Sequence, residues 1–199
     1  MTHDPRLTHP RLVQLAGTLA ARPGAPAADD GAPARAAVAL TLRPASAGLD
    51  LLLIRRAERA GDPWSGQIAL PGGRWSPNDE SLLHTALRET WEETGVDLAA
   101  TGVILGTLDE LRPRTATLPP IIVTPVVVAL DEPVSLRLSD EVAEAFWVPL
   151  DLLQAPETTR ESQVQVRGAT WKVPSFVLRE HVVWGMTERI LRQLLSRLG

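Results

Sequence analysis

Cysteine is absent from this chain of 199 residues, which removes disulfides, thiol nucleophiles and thiolate metal sites together. Excess positive charge is absent as well. Twenty Lys and Arg stand against 24 Asp and Glu, a net charge of -4, so no surface for a polyanion backbone is expected and nucleic acid is not an expected partner. A small anionic ligand held by a few arginines stays open. Lysine occurs once, at Lys172, a compositional bias to which we attach no function. No long apolar run is present: the longest, "IIVTPVVVAL", is interrupted and too short to span a bilayer. The start, "MTHDPRLTHP", lacks a basic-then-apolar signal pattern. The expectation is a cytoplasmic protein with no membrane partner. The histidines, His3, His9, His84 and His181, are scattered without ligand spacing, so zinc is not expected.

What is present suffices for one generous domain, since 44% of the residues are hydrophobic. Residues 10–21 carry apolar side chains at helical spacing and are followed by the Pro/Ala/Gly linker "RPGAPAADDGAPA". We expect residues 1–34 to form a helical extension with its linker, and 35–199 the main domain. "RAAVALTLRP" and "LDLLLIRRA" read as strands around a turn at "ASAG", and "GQIALPGGR" as a short strand ending in glycines that allow backbone to approach a ligand closely. A helix is expected over 81–94, begun by Asp79 or Ser81 and stopped by Gly95. Further strands are expected at 102–109, 121–130 and 144–148. A short helix at "PLDLLQAP", a hairpin around Arg167-Gly168 and a closing helix at 185–198 complete the order. Strands and helices mix without strict alternation, which favours a mixed α/β (α+β) sheet flanked by helices over a doubly wound parallel fold.

The segment "LRETWEETG" concentrates charge. Glu89, Glu92 and Glu93 sit at i, i+3 and i+4, so their carboxylates share one helix face. Leu83, Ala86, Leu87, Thr90 and Thr94 form the expected core-facing side. Three carboxylates at one place repel and raise one another's pKa unless a cation joins them, and oxygen-only ligands suit Mg²⁺ or Mn²⁺. On an isolated helix the same residues are a solvated face. Here the glycine loop "LPGGRWSPNDES" feeds directly into the helix, where backbone groups can serve phosphate or metal chemistry.

"GGRWSPNDESLLHTALRETWEETGV" resembles the Nudix box. Arg88, Glu89, Glu92, Glu93, Gly95 and Val96 match its spacing, with Gly73 as the leading glycine. Two departures stand out. Six residues instead of five separate Gly73 from Glu80, so either the loop bulges by one or Asp79 takes the first acid's place, and Thr90 replaces an aliphatic. "DEVAEAFWVPLDLL" and "VVWGMTERIL" are similar to later segments of that family, and "SGQIALPGG" with "IVTPVVV" looks most like its coenzyme A diphosphatase branch. That branch shows a longer leucine, arginine and histidine pattern where this chain has "RAERAGDPWSGQ".

The resemblance implies a Nudix fold, a mixed sheet sandwiched between helices, and hydrolysis of a phosphoanhydride in a nucleoside diphosphate derivative. Coenzyme A or acyl-CoA comes first. ADP-ribose, NADH, a dinucleoside polyphosphate or a modified nucleoside triphosphate are the other substrates, and a non-catalytic nucleotide-binding regulatory module is the competing class. It implies Mg²⁺ or Mn²⁺ on Glu89, Glu92, Glu93 and the Gly73 carbonyl. Arg88 would orient Glu80 or Glu89 as a fixed charged fork, or else pair with Glu92 along the helix. General-base candidates are Glu141 and Asp140 outside the box, and Glu92 or Glu89 within it. Arg55, Arg56, Gln67, Arg112 and Arg114 are candidate substrate contacts. Trp64 is set between stacking a base and packing, while Trp91, Trp147 and Trp184 are assigned to core or interface. The N-terminal helix could serve a homodimer.

Overall fold

The computed structural model describes residues 4–29, 34–62, 64–113, 120–166 and 168–199. Arg114 and Arg167, and the linker residues 30–33, lie outside that set. In chain order, helix α1 (Pro10–Ala21) precedes strands β1 (Ala34–Ala45), β2 (Gly48–Arg56), β3 (Ile68–Ala69) and β4 (Gly72–Arg74). Then come α2 (Leu82–Thr94), α3 (Leu98–Thr101), β5 (Gly102–Thr107), β6 (Ile121–Leu130), β7 (Val142–Pro149) and α4 (Leu150–Gln154). Strands β8 (Thr159–Val166), β9 (Ala169–Leu178) and β10 (His181–Trp184) lead into α5 (Gly185–Leu198).

The main sheet has seven strands, with the path β3-β2-β1-β6-β5, β4 pairing with β1 and β7 with β2. Its centre is a parallel pair, β1 on β6, with Ala34 opposite Ile121 through Leu42 opposite Ala129. The other pairings among the described strands of this sheet are antiparallel, so the sheet is mixed as expected. The second sheet is the antiparallel β10-β9-β8.

Strand periodicity divides the interior into two cores. Leu40 and Leu42 of β1 and Val127 and Ala129 of β6 point to one face, where Leu15 and Leu19 of α1 and Ile190, Leu191 and Leu194 of α5 cover them. The alternate residues Ala37, Ala39, Val126 and Val128 point to the other face and meet Ala86 of α2. The helices therefore sandwich the sheet. Small residues at 37 and 39 let α2 approach closely, and this fixes the acidic helix against β1 and β4. Helix α1 is part of the larger core: Leu12, Leu15 and Leu19 are each at most 2% exposed. At about 25 cal/mol per Å², three fully buried leucines stabilise the fold by several kcal/mol.

Two short elements escaped the sequence reading. The four residues of α3 form one capped turn, with the Asp97 carboxylate accepting from Ala100 N–H at 3.0 Å. Of "VVWGMTERIL", which resembles the family's C-terminal helix, residues 182–184 belong to strand β10, and the helix begins only at Gly185. Trp91, expected in the core or an interface, is 53% exposed, because α2 packs through Ala86, Thr90 and Thr94 on its opposite side.

Candidate active site

Helix α2 begins where Ser81 Oγ accepts from His84 N–H at 3.1 Å, and ends at Gly95, whose φ of 72° is left-handed. The glycine pair of β4 lies beneath it. Gly72 has φ 151° and rests against Ala37 and Val38 so closely that no Cβ fits. Its N–H is thereby free to donate to Glu93 Oε2 at 2.9 Å. A Cβ on Gly73 would run into the Glu89 carboxylate. The glycines thus make a backbone floor on which two of the acids sit.

The three acids are not equivalent, which corrects the expectation of one acidic face apart from the core. The Glu93 side chain is 4% exposed, Glu89 18% and Glu92 48%. Burial pushes the Glu93 carboxyl up to about 7, the Gly72 N–H and Arg56 pulling against it and Glu89 and Glu141 adding repulsion. Burial also raises Glu89, against the pull of Arg88, with Glu92 and Glu141 pushing the same way as burial. On the supposed core-facing side, Leu83 is exposed and Leu87 only half-buried, while Thr85 is buried. The Thr85 hydroxyl donates to Asp79 Oδ2 at 2.9 Å.

Asp79 resolves the one-residue offset. It is 4% exposed and accepts Arg88 Nε on Oδ1 at 2.8 Å and Arg88 Nη2 on Oδ2 at 2.9 Å. Ser76 N–H adds a contact at 3.0 Å. The paired guanidinium, with these donors, holds the Asp79 carboxyl well below the usual carboxylate range. Glu80 is exposed, and its backbone N–H donates to His84 Nδ1 at 3.3 Å. Arg88 therefore grips Asp79 in place of Glu80. Its Nη1 reaches Glu89 Oε1 and Glu92 Oε2, both at 2.9 Å, so the orienting role and the helical pair coexist.

Arg56 joins this group, with Nη1 4.0 Å from Glu93 Oε1 and Nη2 2.9 Å from Asp62 Oδ2. Glu141 is exposed and paired with Arg59 Nη1 at 2.9 Å, yet its charge is felt at both Glu89 and Glu93. Asp140 is also exposed. Arg55 pairs with Glu144 at 3.3 Å and, with Gln67, lines a cleft beside the β2–β3 edge. Arg112 Nη1 donates to Ala28 O at 2.9 Å, which ties it to the N-terminal segment. Asp62 and Arg59 were missed. Both lie in a Gly/Asp/Pro turn that reads only as a loop; Asp62 turns back to Arg56, six residues earlier, and Arg59 meets Glu141, 82 residues away.

The donors fit a hard divalent cation in kind, being carboxylates and a backbone carbonyl, with two carboxyls that burial has made reluctant to ionise without a positive partner. Among the described residues, no three His, Asp or Glu side chains converge on a single point. Arg88 draws Glu92 towards itself, and its guanidinium stands between Glu89 and Glu92.

Residues 32–167 match the model of the NUDIX domain, and the chain belongs to the Nudix hydrolase family. A Nudix hydrolase of Photorhabdus laumondii is 35% identical over 149 residues, 74% of this chain and 76% of that protein. A mitochondrial coenzyme A diphosphatase of Homo sapiens is 34% identical over 169 residues, 84% of this chain and 70% of that protein. A Schizosaccharomyces pombe protein is 39% identical over 132 residues, 64% of this chain, and the match spans only 40% of that relative's length. A MutT/nudix family protein of Enterococcus faecalis shares the fold, with a TM-score of 0.54 at 20% identity over 87% of this chain and 70% of that one. Nudix hydrolases generally use divalent metals and act on small nucleotide molecules. No helix among the described residues is long and apolar enough to cross a membrane.

Proposed function

We propose that this Nudix hydrolase splits the phosphoanhydride of coenzyme A or an acyl-CoA with Mg²⁺ or Mn²⁺. The observation that carries the reading is the carboxylate pair of buried Glu93 and half-buried Glu89, seated on the backbone of Gly72 and Gly73. Such a pair is unfavourable without a cation, and burial of this kind is concentrated at functional sites. The human coenzyme A diphosphatase, alike over 84% of this chain, supports the substrate.

Glu89, Glu92, Glu93 and the Gly73 carbonyl would hold the metal, which would neutralise phosphate charge and lower the pKa of a bound water. Arg88, fixed by Asp79 through two hydrogen bonds, holds Glu89 and Glu92 at set positions, so less reorganisation is needed when the substrate arrives. Glu141 accepts the proton of the attacking water, because it is the acid near Glu89 and Glu93 that is not itself a ligand. Arg56 faces Glu93 and meets the diphosphate, with Arg55, Arg112 and Arg114 as further substrate contacts. The extension up to residue 34 serves the fold through the leucines of α1.

The test is metal-dependent turnover on coenzyme A, ADP-ribose, NADH and diadenosine polyphosphates, with products resolved by chromatography. Coenzyme A should give a phosphorylated adenosine nucleotide and 4′-phosphopantetheine. Coenzyme A left whole while ADP-ribose is split would overturn the substrate. No turnover with tight binding of one compound would make the protein a binding module. Glu141→Gln should lower kcat at least 100-fold while metal affinity stays unchanged, and Glu89→Gln should lose metal affinity.

A further inference from the structure

Beside the acids lies a cleft of about 590 Å³, a size usual for small-molecule sites. One side is the β2–β3 edge of the main sheet and the loop up to Gln67. The other side is made by β10 and the tip of the β8–β9 hairpin. The cleft is joined to the acids through one arginine. Asp62 stands on its wall and holds Arg56, whose other nitrogen faces Glu93.

The lining is a specific chemical environment. Ile68, Val164, Val182 and Trp184 give it apolar surface, and Gln67 and Gln165 place amides on its wall, the Gln165 nitrogen donating to Thr170 Oγ1 at 2.7 Å, which steadies the group and leaves its carbonyl oxygen as an acceptor. Its charge is unfavourable to another anion. Glu58, Asp62 and Glu180 are all on the wall. The guanidinium there is already engaged, Arg55 with Glu144 at 3.3 Å, and His181 Nε2 lies 3.5 Å from Glu144 and 3.7 Å from Glu180. His181 also stacks on Phe146, the ring centroids 4.5 Å apart, which steadies that wall. A phosphate or carboxylate entering here would meet carboxylates without a spare cation. An uncharged chain with amide and hydroxyl groups would meet apolar walls and paired amides.

We propose that the cleft between the β2–β3 edge and the β8–β9 hairpin binds the uncharged, amide-bearing half of the substrate, and that Gln165 on the hairpin selects for it. This rests on the coenzyme A reading, whose non-nucleotide half is such a chain beyond its phosphate. The nucleoside and its phosphates then lie on the far side of the scissile bond. Selection between substrates that share the nucleotide half would come from the hairpin, which packs outside the main sheet.

Two measurements test the assignment. Gln165 is exposed and Val164 half-buried on a two-stranded arm, so Gln165→Glu and Val164→Asp should fold normally, as checked by circular dichroism. Each should raise KM for coenzyme A about tenfold, the effect of losing a contact and setting a charge against an uncharged chain, with kcat within a factor of two. KM for ADP-ribose, which lacks the amide chain, should be unchanged. An unchanged KM for coenzyme A in both variants overturns the assignment. Separately, the metal-free wild-type protein labelled with ¹⁵N is titrated with pantetheine or with AMP. Pantetheine should shift the side-chain amides of Gln67 and Gln165 and the Trp184 indole, and AMP should leave them in place. Shifts with AMP alone, or with neither, overturn the assignment. If wild-type protein leaves coenzyme A whole but pantetheine shifts those signals, the substrate reading falls and the cleft's chemistry stands. If coenzyme A is split and pantetheine shifts nothing, the cleft assignment alone falls.

Discussion

Replacing Glu93 with glutamine should make the metal-free protein more stable in alkaline solution while removing its activity. The carboxyl is raised from 4.5 to about 7, so its ionised form is disfavoured in the folded state relative to the unfolded one. Below pH 4.5 the group is protonated in both states and costs nothing. Between pH 4.5 and 7 the unfolded chain releases this proton first, and the folded state loses stability as pH rises. Above about 7 the loss is complete. At roughly 1.4 kcal/mol per pH unit, the rise from 4.5 to about 7 corresponds to about 3 kcal/mol. Glutamine keeps an oxygen for the Gly72 N–H at the place of Oε2, but its amide nitrogen takes the place of Oε1 and sets a donor against the Arg56 guanidinium, which lowers the expected gain to about 2 kcal/mol. Urea unfolding of both proteins in excess chelator at pH 4.5 and pH 8 measures it. The variant should match the wild type at pH 4.5 and exceed it by about 2 kcal/mol at pH 8. Added Mg²⁺ should close the gap by stabilising only the wild type. A variant less stable than the wild type at pH 8, or a difference independent of pH, would refute the reasoning.

Four other substitutions and one deletion probe the glycine loop, the acids and the N-terminal helix. Asp79→Asn should cost about 2–4 kcal/mol by chemical denaturation, because it breaks a buried pair and leaves Arg88 undercompensated, while Glu80→Gln should stay within about 0.5 kcal/mol; the reverse order would return the box's first acid to Glu80. Gly73→Ala should lose at least about 100-fold in kcat/KM by displacing Glu89, with the far-ultraviolet circular dichroism spectrum retained. Leu15→Ala, removing a side chain that is 0% exposed, should cost about 2–5 kcal/mol in urea unfolding, and deletion of residues 1–34 should cost more.

The elements with sustained periodicity were legible at their ends: α1 at 10–21, β6 at 121–130 and α5 at 185–198 run as the apolar pattern sets them. What spacing could not show was how the chain takes up a residue. The segment from Gly73 to Glu80 is one residue long for the box. The surplus is absorbed in a tight turn, in which Asp79 N–H donates to Ser76 O at 2.8 Å and Ser76 N–H returns to Asp79 Oδ2 at 3.0 Å. That turn swings Asp79 inward and Glu80 outward. Glu93 was misjudged for a related reason. Helical geometry puts it with Glu89 and Glu92, but its burial is decided by Gly72 and Arg56, 21 and 37 positions earlier in the sequence. The leucine stripe of α1 was visible as a stripe, whereas the sheet face that would receive it was not.

The parallel pairing at the centre of the main sheet also bears on how the protein comes into being. Parallel neighbours cannot be joined by a tight turn, so the chain between β1 and β6 must make a long excursion, and on that excursion lie the glycine strand, Asp79 and the acidic helix. The middle of the sheet cannot close until this excursion has been ordered, a loop-closure cost that slows folding. A nascent chain in which β6 has not yet appeared lacks the partner of β1 and the Val126 and Val128 side chains that complete the core beneath α2. Chains that end before β6 should therefore lack hydrolytic activity.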